Sequence, residues 1–132
     1  MSEILGRAYE PGEDIVREGE TGDCMYVIQQ GDVDVFKTID GVLTKVDTMR
    51  AGDIFGEIAV VEQTVRSSTV RAVTPVKVMT IDRKTFLRRV QEDPALALNI
   101  LKAMAGRVRK LDYELALLKQ KITATNEVAG NP

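Results

Sequence analysis

Residues 25–49 read MYVIQQGDVDVFKTIDGVLTKVDTM, three β-prone runs separated by two glycine-centred turns. Valine, isoleucine, threonine and aromatic side chains fill residues 25–30, 33–39 and 42–49, which predicts three strands. The first break, QQGD at residues 29–32, is a turn around Gly31. The second, IDGV at residues 39–42, carries the Asp-Gly pair suited to a type I′ hairpin, whose two central residues need positive φ. Further β-prone runs lie outward at residues 14–17, 68–73 and 76–81. Seven of the ten glycines, Gly12, Gly19, Gly22, Gly31, Gly41, Gly52 and Gly56, fall within residues 12–56, so the chain turns often there and rarely afterwards. Short strands at this spacing predict an antiparallel sandwich or barrel.

After Asp82 the period changes. Residues 83–122, RKTFLRRVQEDPALALNILKAMAGRVRKLDYELALLKQKI, contain only Gly106 and Pro94 as helix breakers. Proline lacks the N–H that a helix interior uses, but fits the first helical position. The spacing therefore predicts one helix over residues 83–91 capped by Asp82, and a second starting at Pro94 and capped by Asp93. The last ten residues, TATNEVAGNP, are small and polar and predict a flexible tail over 123–132. The expected fold class is mainly β plus α: an antiparallel, jelly-roll-like β-roll over about residues 8–82, then C-terminal helices over 83–122 including one long helix. Residues 1–122 make one domain.

Composition narrows the chemistry. The 132 residues are 44% hydrophobic and 29% charged, enough for one cored domain. The net charge of −2 hides an asymmetry. Residues 1–82 carry 8 basic and 15 acidic side chains, whereas residues 83–122 carry 10 and 4, so the halves stand at −7 and +6. With no histidine, His-liganded zinc or haem, a Ser-His-Asp triad and a histidine base are excluded. A single cysteine, Cys24, excludes an intrachain disulfide and an all-cysteine metal site. No apolar run approaches the roughly 20 residues that span a bilayer, and MSEILGRAYE lacks the regions of a signal peptide. The expected location is the cytoplasm, with no membrane contact and no metal.

Residues 52–72, GDIFGEIAVVEQTVRSSTVRA, carry the chemistry. Gly56 lets the backbone approach a ligand closely, and one helical turn from Glu57 would point free N–H groups at a phosphate. Arg66 adds a permanent charge with a bidentate fork. Glu57 would repel the phosphate, so it suits another part of the same ligand, a sugar hydroxyl such as a ribose 2′-OH. The plain alternative is a Gly-Glu turn with a solvated acid and a surface arginine.

FGEIAVVEQTVRSSTVRA resembles the phosphate-binding cassette of the cyclic nucleotide-binding domains, and DIVREGETGDCMYVIQQGDVDVF at residues 14–36 is similar to that family's first strands. The likeness covers roughly residues 8–120 and is to a CRP-like sensor domain without the DNA-binding domain. It implies a β-roll followed by helices. It also implies that Glu57 holds the ribose 2′-OH, that Arg66 holds the cyclic phosphate with backbone amides near Gly56, Ile58 and Ala59, and that Ser67 is a further phosphate contact. The implied ligand is cAMP or cGMP, with no other cofactor.

The chain departs from the family in two places. Ten residues follow Ile122, too few for a helix-turn-helix, so no DNA binding of that kind is expected. Lys102, Arg107, Arg109 and Lys110 fit a solvated helix face better than a nucleic-acid contact. Where relatives place a threonine and a serine against the base, an ungapped match puts Leu111 and Asp112. Arg107, Asp112 and Tyr113 are the candidate base contacts, with adenine and guanine both open.

The long helix carries a second pattern. Leu101, Met104, Val108, Leu111, Leu115, Leu118 and Ile122 are spaced 3, 4, 3, 4, 3, 4, the period of a left-handed coiled coil. In a parallel pair Arg107 faces the second copy's Asp112, and Glu114 its Lys119, both opposite in sign. A homodimer is the expected assembly; the alternative is that the stripe packs on the β-roll.

Three functions compete. The first is a stand-alone cyclic nucleotide receptor that signals by rearranging its C-terminal helices. The second is an enzyme, disfavoured because Glu57 would be the lone candidate base. The third is a degenerate cyclic nucleotide-binding fold serving as a dimeric assembly or regulatory module for another small ligand or a protein partner.

Overall fold

The computed structural model describes residues 4–130. Eight strands come first, interrupted by one short helix: β1 (Ile4–Tyr9), β2 (Asp14–Val16), β3 (Cys24–Gln30), β4 (Asp32–Ile39), β5 (Val42–Arg50), β6 (Ile54–Phe55), α1 (Glu57–Glu62), β7 (Thr69–Ala72) and β8 (Val76–Asp82). Two helices follow, α2 (Arg83–Glu92) and α3 (Pro94–Gly130). The strands form two four-stranded sheets, ordered β1-β8-β3-β6 and β2-β7-β4-β5, with every pairing antiparallel. The chain divides into two compact units between Arg88 and Arg89.

Alternation builds the core of the first unit. In β4 Val33 and Val35 are buried while Asp32 and Asp34 turn outward, and in β8 Val76, Val78 and Thr80 point inward. Tyr26 and Ile28 of β3 meet them, with Val70 and Ala72 from the other sheet and Met49 and Phe55 from β5 and β6. Ile28, 1% exposed, has no route to collapse around a smaller side chain. Ile28→Ala is expected to destabilise the fold by about 2 to 5 kcal/mol, read by urea unfolding. A loss under 1 kcal/mol would mean that the core is not close-packed there.

The turns behave as their chemistry dictates. Asp40 and Gly41 both take positive φ, 51° and 78°, as a type I′ hairpin between β4 and β5 requires. A buttress outside the core ties β2 to β7: Arg71 Nε lies 2.7 Å from Asp14 Oδ1, and the guanidinium sits 5.0 Å from the Phe36 ring centre. The Arg71 hydrogen bond holds the Asp14 carboxyl below the usual carboxylate range. A depressed pKa stabilises the fold above the ordinary value of about 4, and that contribution fades as pH falls through the folded value.

Both helix starts follow expectation. Asp82 accepts the Thr85 N–H at 2.7 Å, and Asp93 accepts the Ala95 N–H at 3.1 Å. Three boundaries differ. The roll begins at β1, not at residue 8: Gly6, Arg7 and Ala8 are weak strand formers, and the strand exists because Ile4 through Tyr9 pair with Ile81 through Val76. β6 has two residues, too few to show a period, and is set by pairing with Tyr26 and Val27. Residues 123–130 of the expected flexible tail are instead helical, because residues 123–129, TATNEVA, contain no Gly or Pro to break α3. There Thr125 bonds back to the Lys121 carbonyl at 2.9 Å. Residues 131–132 of that tail lie outside the described residues.

Candidate functional site

Arg66 and Glu57 are both inside the protein, at 6% and 8% exposure, so neither is a surface charge nor a solvated turn residue. Arg66 arrives on the segment between α1 and β7, pinned by its backbone: its N–H donates to the Glu20 carbonyl and its own carbonyl accepts from Gly19, both at 2.9 Å. Its guanidinium Nη1 donates to the Cys24 carbonyl at 2.6 Å and to the Gly56 carbonyl at 3.2 Å. The Tyr26 ring centre lies 5.6 Å from the guanidinium carbon, and Tyr26 stacks on Phe55 at 4.9 Å. Among the described residues no carboxylate is within ion-pair distance of Arg66. A buried cation that meets only neutral carbonyls and a ring face has a strong residual pull on an anion.

Gly56 is needed for reasons beyond the ligand approach that the sequence suggested. Its φ of 83° and ψ of 2° put it in the left-handed region at the N-cap of α1. A Cβ there would come within 2.8 Å of Arg66 Nη1 and 3.1 Å of the Cys24 carbonyl oxygen. Glycine also offers no capping side chain, so the start of α1, at Glu57, Ile58 and Ala59, has no side-chain cap. Ala59 is buried, whereas the Ile58 side chain faces solvent. Ser67 is exposed immediately beside Arg66. Gly56 and the residues Glu57, Ile58 and Ala59 that follow it thus form the start of α1, which the Arg66 guanidinium meets at the Gly56 carbonyl, with Ser67 next to Arg66 in the chain.

Arg107, Asp112 and Tyr113 stand on α3, in the second unit. At about 100° of rotation per residue they point in three well-separated directions, so no single face of α3 presents all three. The seam is a continuous feature of that helix: Leu101, Val108, Leu111, Leu115, Leu118 and Ile122 are 49% to 62% exposed, and Met104 is half-buried.

Four participants escaped the sequence reading. Gly22 packs directly on the arginine: a Cβ there would come within 2.5 Å of Arg66 Nη2 and 2.7 Å of Nε. Cys24 contributes its carbonyl, Tyr26 its ring, and Arg83 a bond from its guanidinium Nη1 to the Val60 carbonyl. Gly22 takes no positive φ, so the glycine of the TGD segment is required by packing alone, which leaves no signal in the sequence. Gly22→Ala is expected to fold, since the clash is with a side-chain end. Displacing the guanidinium should weaken anion binding by about 1.5 to 3 kcal/mol, the size of one hydrogen bond to a charged group. Full affinity in calorimetry would show that Arg66 yields without loss.

Burial, then the neighbouring Asp23, pushes the Cys24 thiol up from its ordinary value, so it stays protonated at neutral pH and is a poor nucleophile. Burial likewise raises the Tyr26 phenol. Among the described residues no group of three or more His, Cys, Asp or Glu is placed to hold a metal ion. None of the described helices is long and apolar enough to cross a membrane.

A family model described as the cyclic nucleotide-binding domain matches residues 6–93. The chain is 40% identical over 80 residues to a cAMP-dependent protein kinase regulatory subunit of Schizosaccharomyces pombe, covering 61% of this chain and 19% of that one. It is 30% identical over 130 residues to the cyclic AMP receptor protein of Thermus thermophilus, covering 98% and 60%. The crystal structure of the catabolite activator protein of Thermus thermophilus superposes with a TM-score of 0.78 at 28% identity, over 89% of this chain and 55% of that one. The chain thus spans from about a fifth to about three fifths of these relatives. By the family match, the shared β-roll and these relatives together, the chain belongs to the cyclic nucleotide-binding domain family.

Proposed function

We propose that the protein is a cyclic nucleotide receptor that binds cAMP or cGMP and passes on its occupancy by rearranging its C-terminal helices. The cyclic phosphate pairs with Arg66 and the N–H groups at the start of α1, near Gly56, Ile58 and Ala59, with Ser67 as a further contact. The ribose 2′-OH donates to Glu57. Arg107, Asp112 or Tyr113 meets the base, and α3 joins a second copy through its exposed seam. The observation that carries this proposal is the buried Arg66 guanidinium, which donates to the Cys24 and Gly56 carbonyls and has no carboxylate within ion-pair distance among the described residues. The relatives, a cAMP-dependent protein kinase regulatory subunit and a cyclic AMP receptor protein, support the ligand class.

The receptor is cytoplasmic, needs no metal and has no hydrolytic activity. An anion that completes the buried pair stabilises the folded state, by about 2.7 kcal/mol at a ligand concentration a hundred times Kd. Incubation with cAMP or cGMP is expected to raise the melting temperature by several degrees and to return the nucleotide intact on chromatography. Conversion of many equivalents to the open 5′-monophosphate would make the protein an enzyme instead.

A further inference from the structure

Arg66 shares its hold on α1 with another arginine. The other is Arg83, the first residue of α2, whose guanidinium Nη1 donates to the Val60 carbonyl. Its backbone N–H donates to the Asp23 carbonyl at 2.9 Å, and the next carbonyl along the chain, that of Cys24, takes the Arg66 guanidinium. Two consecutive carbonyls at the entry to β3 thus anchor two arginines. These reach α1 from opposite ends, Arg66 at the Gly56 carbonyl and Arg83 at the Val60 carbonyl.

The helix needs such support. Six residues are too few to persist on intrahelical bonds alone. The last turn contains no basic residue, and the chain leaves it through Gln63 at φ 56°, a left-handed conformation in a side chain other than glycine. Val60 carries one of the four terminal carbonyls that lack an intrahelical partner. A guanidinium there satisfies that acceptor and meets the negative end of the helix dipole. Arg83 is itself fixed, because Asp82 caps the helix that it begins.

The geometry points to Arg83 as a positioning residue for the phosphate site: it fixes the C-terminal end of α1, and through it the placement of Gly56 and Glu57 against Arg66, without touching the ligand. This rests on the nucleotide-pocket proposal. The test compares the full chain with Arg83→Met, which removes the donor, and Arg83→Lys, which keeps the charge and a donor. In the unliganded protein, Arg83→Met is expected to keep the melting temperature of the roll while amides of residues 61–63 exchange about tenfold faster. The same variant should bind the cyclic nucleotide about tenfold more weakly in calorimetry, with Arg83→Lys restoring most of both. Unchanged exchange in Arg83→Met overturns the clamp, as does an Arg83→Lys chain equally defective, or unfolding of the whole roll, since the role is local. Faster exchange with unchanged affinity overturns the link to the site. A wild-type chain that binds no cyclic nucleotide refutes the pocket, while exchange in the unliganded protein still decides the clamp.

Discussion

Arg66→Leu is expected to weaken cyclic nucleotide binding by about 2 to 5 kcal/mol, a loss large enough to remove detectable heat in calorimetry. The variant takes away the buried cation of the site and its fork of parallel donors. The fold should survive. Leucine removes a charge whose burial is costly, and the price is the Cys24 and Gly56 carbonyls, which lose a donor worth about 1 to 3 kcal/mol. Arg66→Lys should fall between, since a single ammonium keeps the charge without the planar fork. Glu57→Gln should cost less than Arg66→Leu, because the amide retains one acceptor oxygen for a sugar hydroxyl. Equal affinity in Arg66→Leu, with unfolding curves like wild type, would move the phosphate elsewhere.

The second large effect belongs to the seam. Leu111 and Leu118 are about half exposed on α3, and lysine at both places puts four ammonium groups into the core of a parallel pair. The double variant is expected to be a monomer by light scattering where wild type is a dimer. A receptor that signals through its C-terminal helices must also couple the two equilibria, so nucleotide affinity and dimer affinity change by one common factor, typically about 5 to 150-fold. The substitutions leave Gly56, Glu57 and Arg66 untouched, so any change in affinity reports coupling. A wild-type monomer at high concentration, or a variant of unchanged mass, would reject the seam. A monomeric variant with unchanged affinity would reject the coupling alone.

The sequence made local features legible and concealed long-range ones. The Asp-Gly hairpin, the caps at Asp82 and Asp93 and the restart at Pro94 each depend on residues within a few positions of one another, and all stand where the pattern put them. β1 and β6 depend on partners far along the chain, Val76 to Ile81 for one and Tyr26 and Val27 for the other, and their own residues carry little period. The site divides in the same way. Gly56 and Glu57 are neighbours, and Arg66 follows within one short segment, so their grouping shows in the chain itself. Gly22 and Cys24 reach Arg66 across more than forty residues, and Arg83 reaches Val60 across 23, contacts that no window of sequence displays. The buried state of Arg66 was equally hidden. An arginine before a strand is ordinarily solvated, and what makes this one different is the glycine pair, Gly22 and Gly56, whose missing side chains leave room for its guanidinium.

One titration addresses the phosphate pocket most directly: calorimetry of the unliganded wild-type chain with cAMP and, separately, cGMP, at about physiological salt. A buried Arg66 with no carboxylate within ion-pair distance among the described residues predicts saturable binding of at least one of the two at one nucleotide per chain, with the heat lost in Arg66→Leu. No heat and no thermal shift with either nucleotide at millimolar concentration would contradict it.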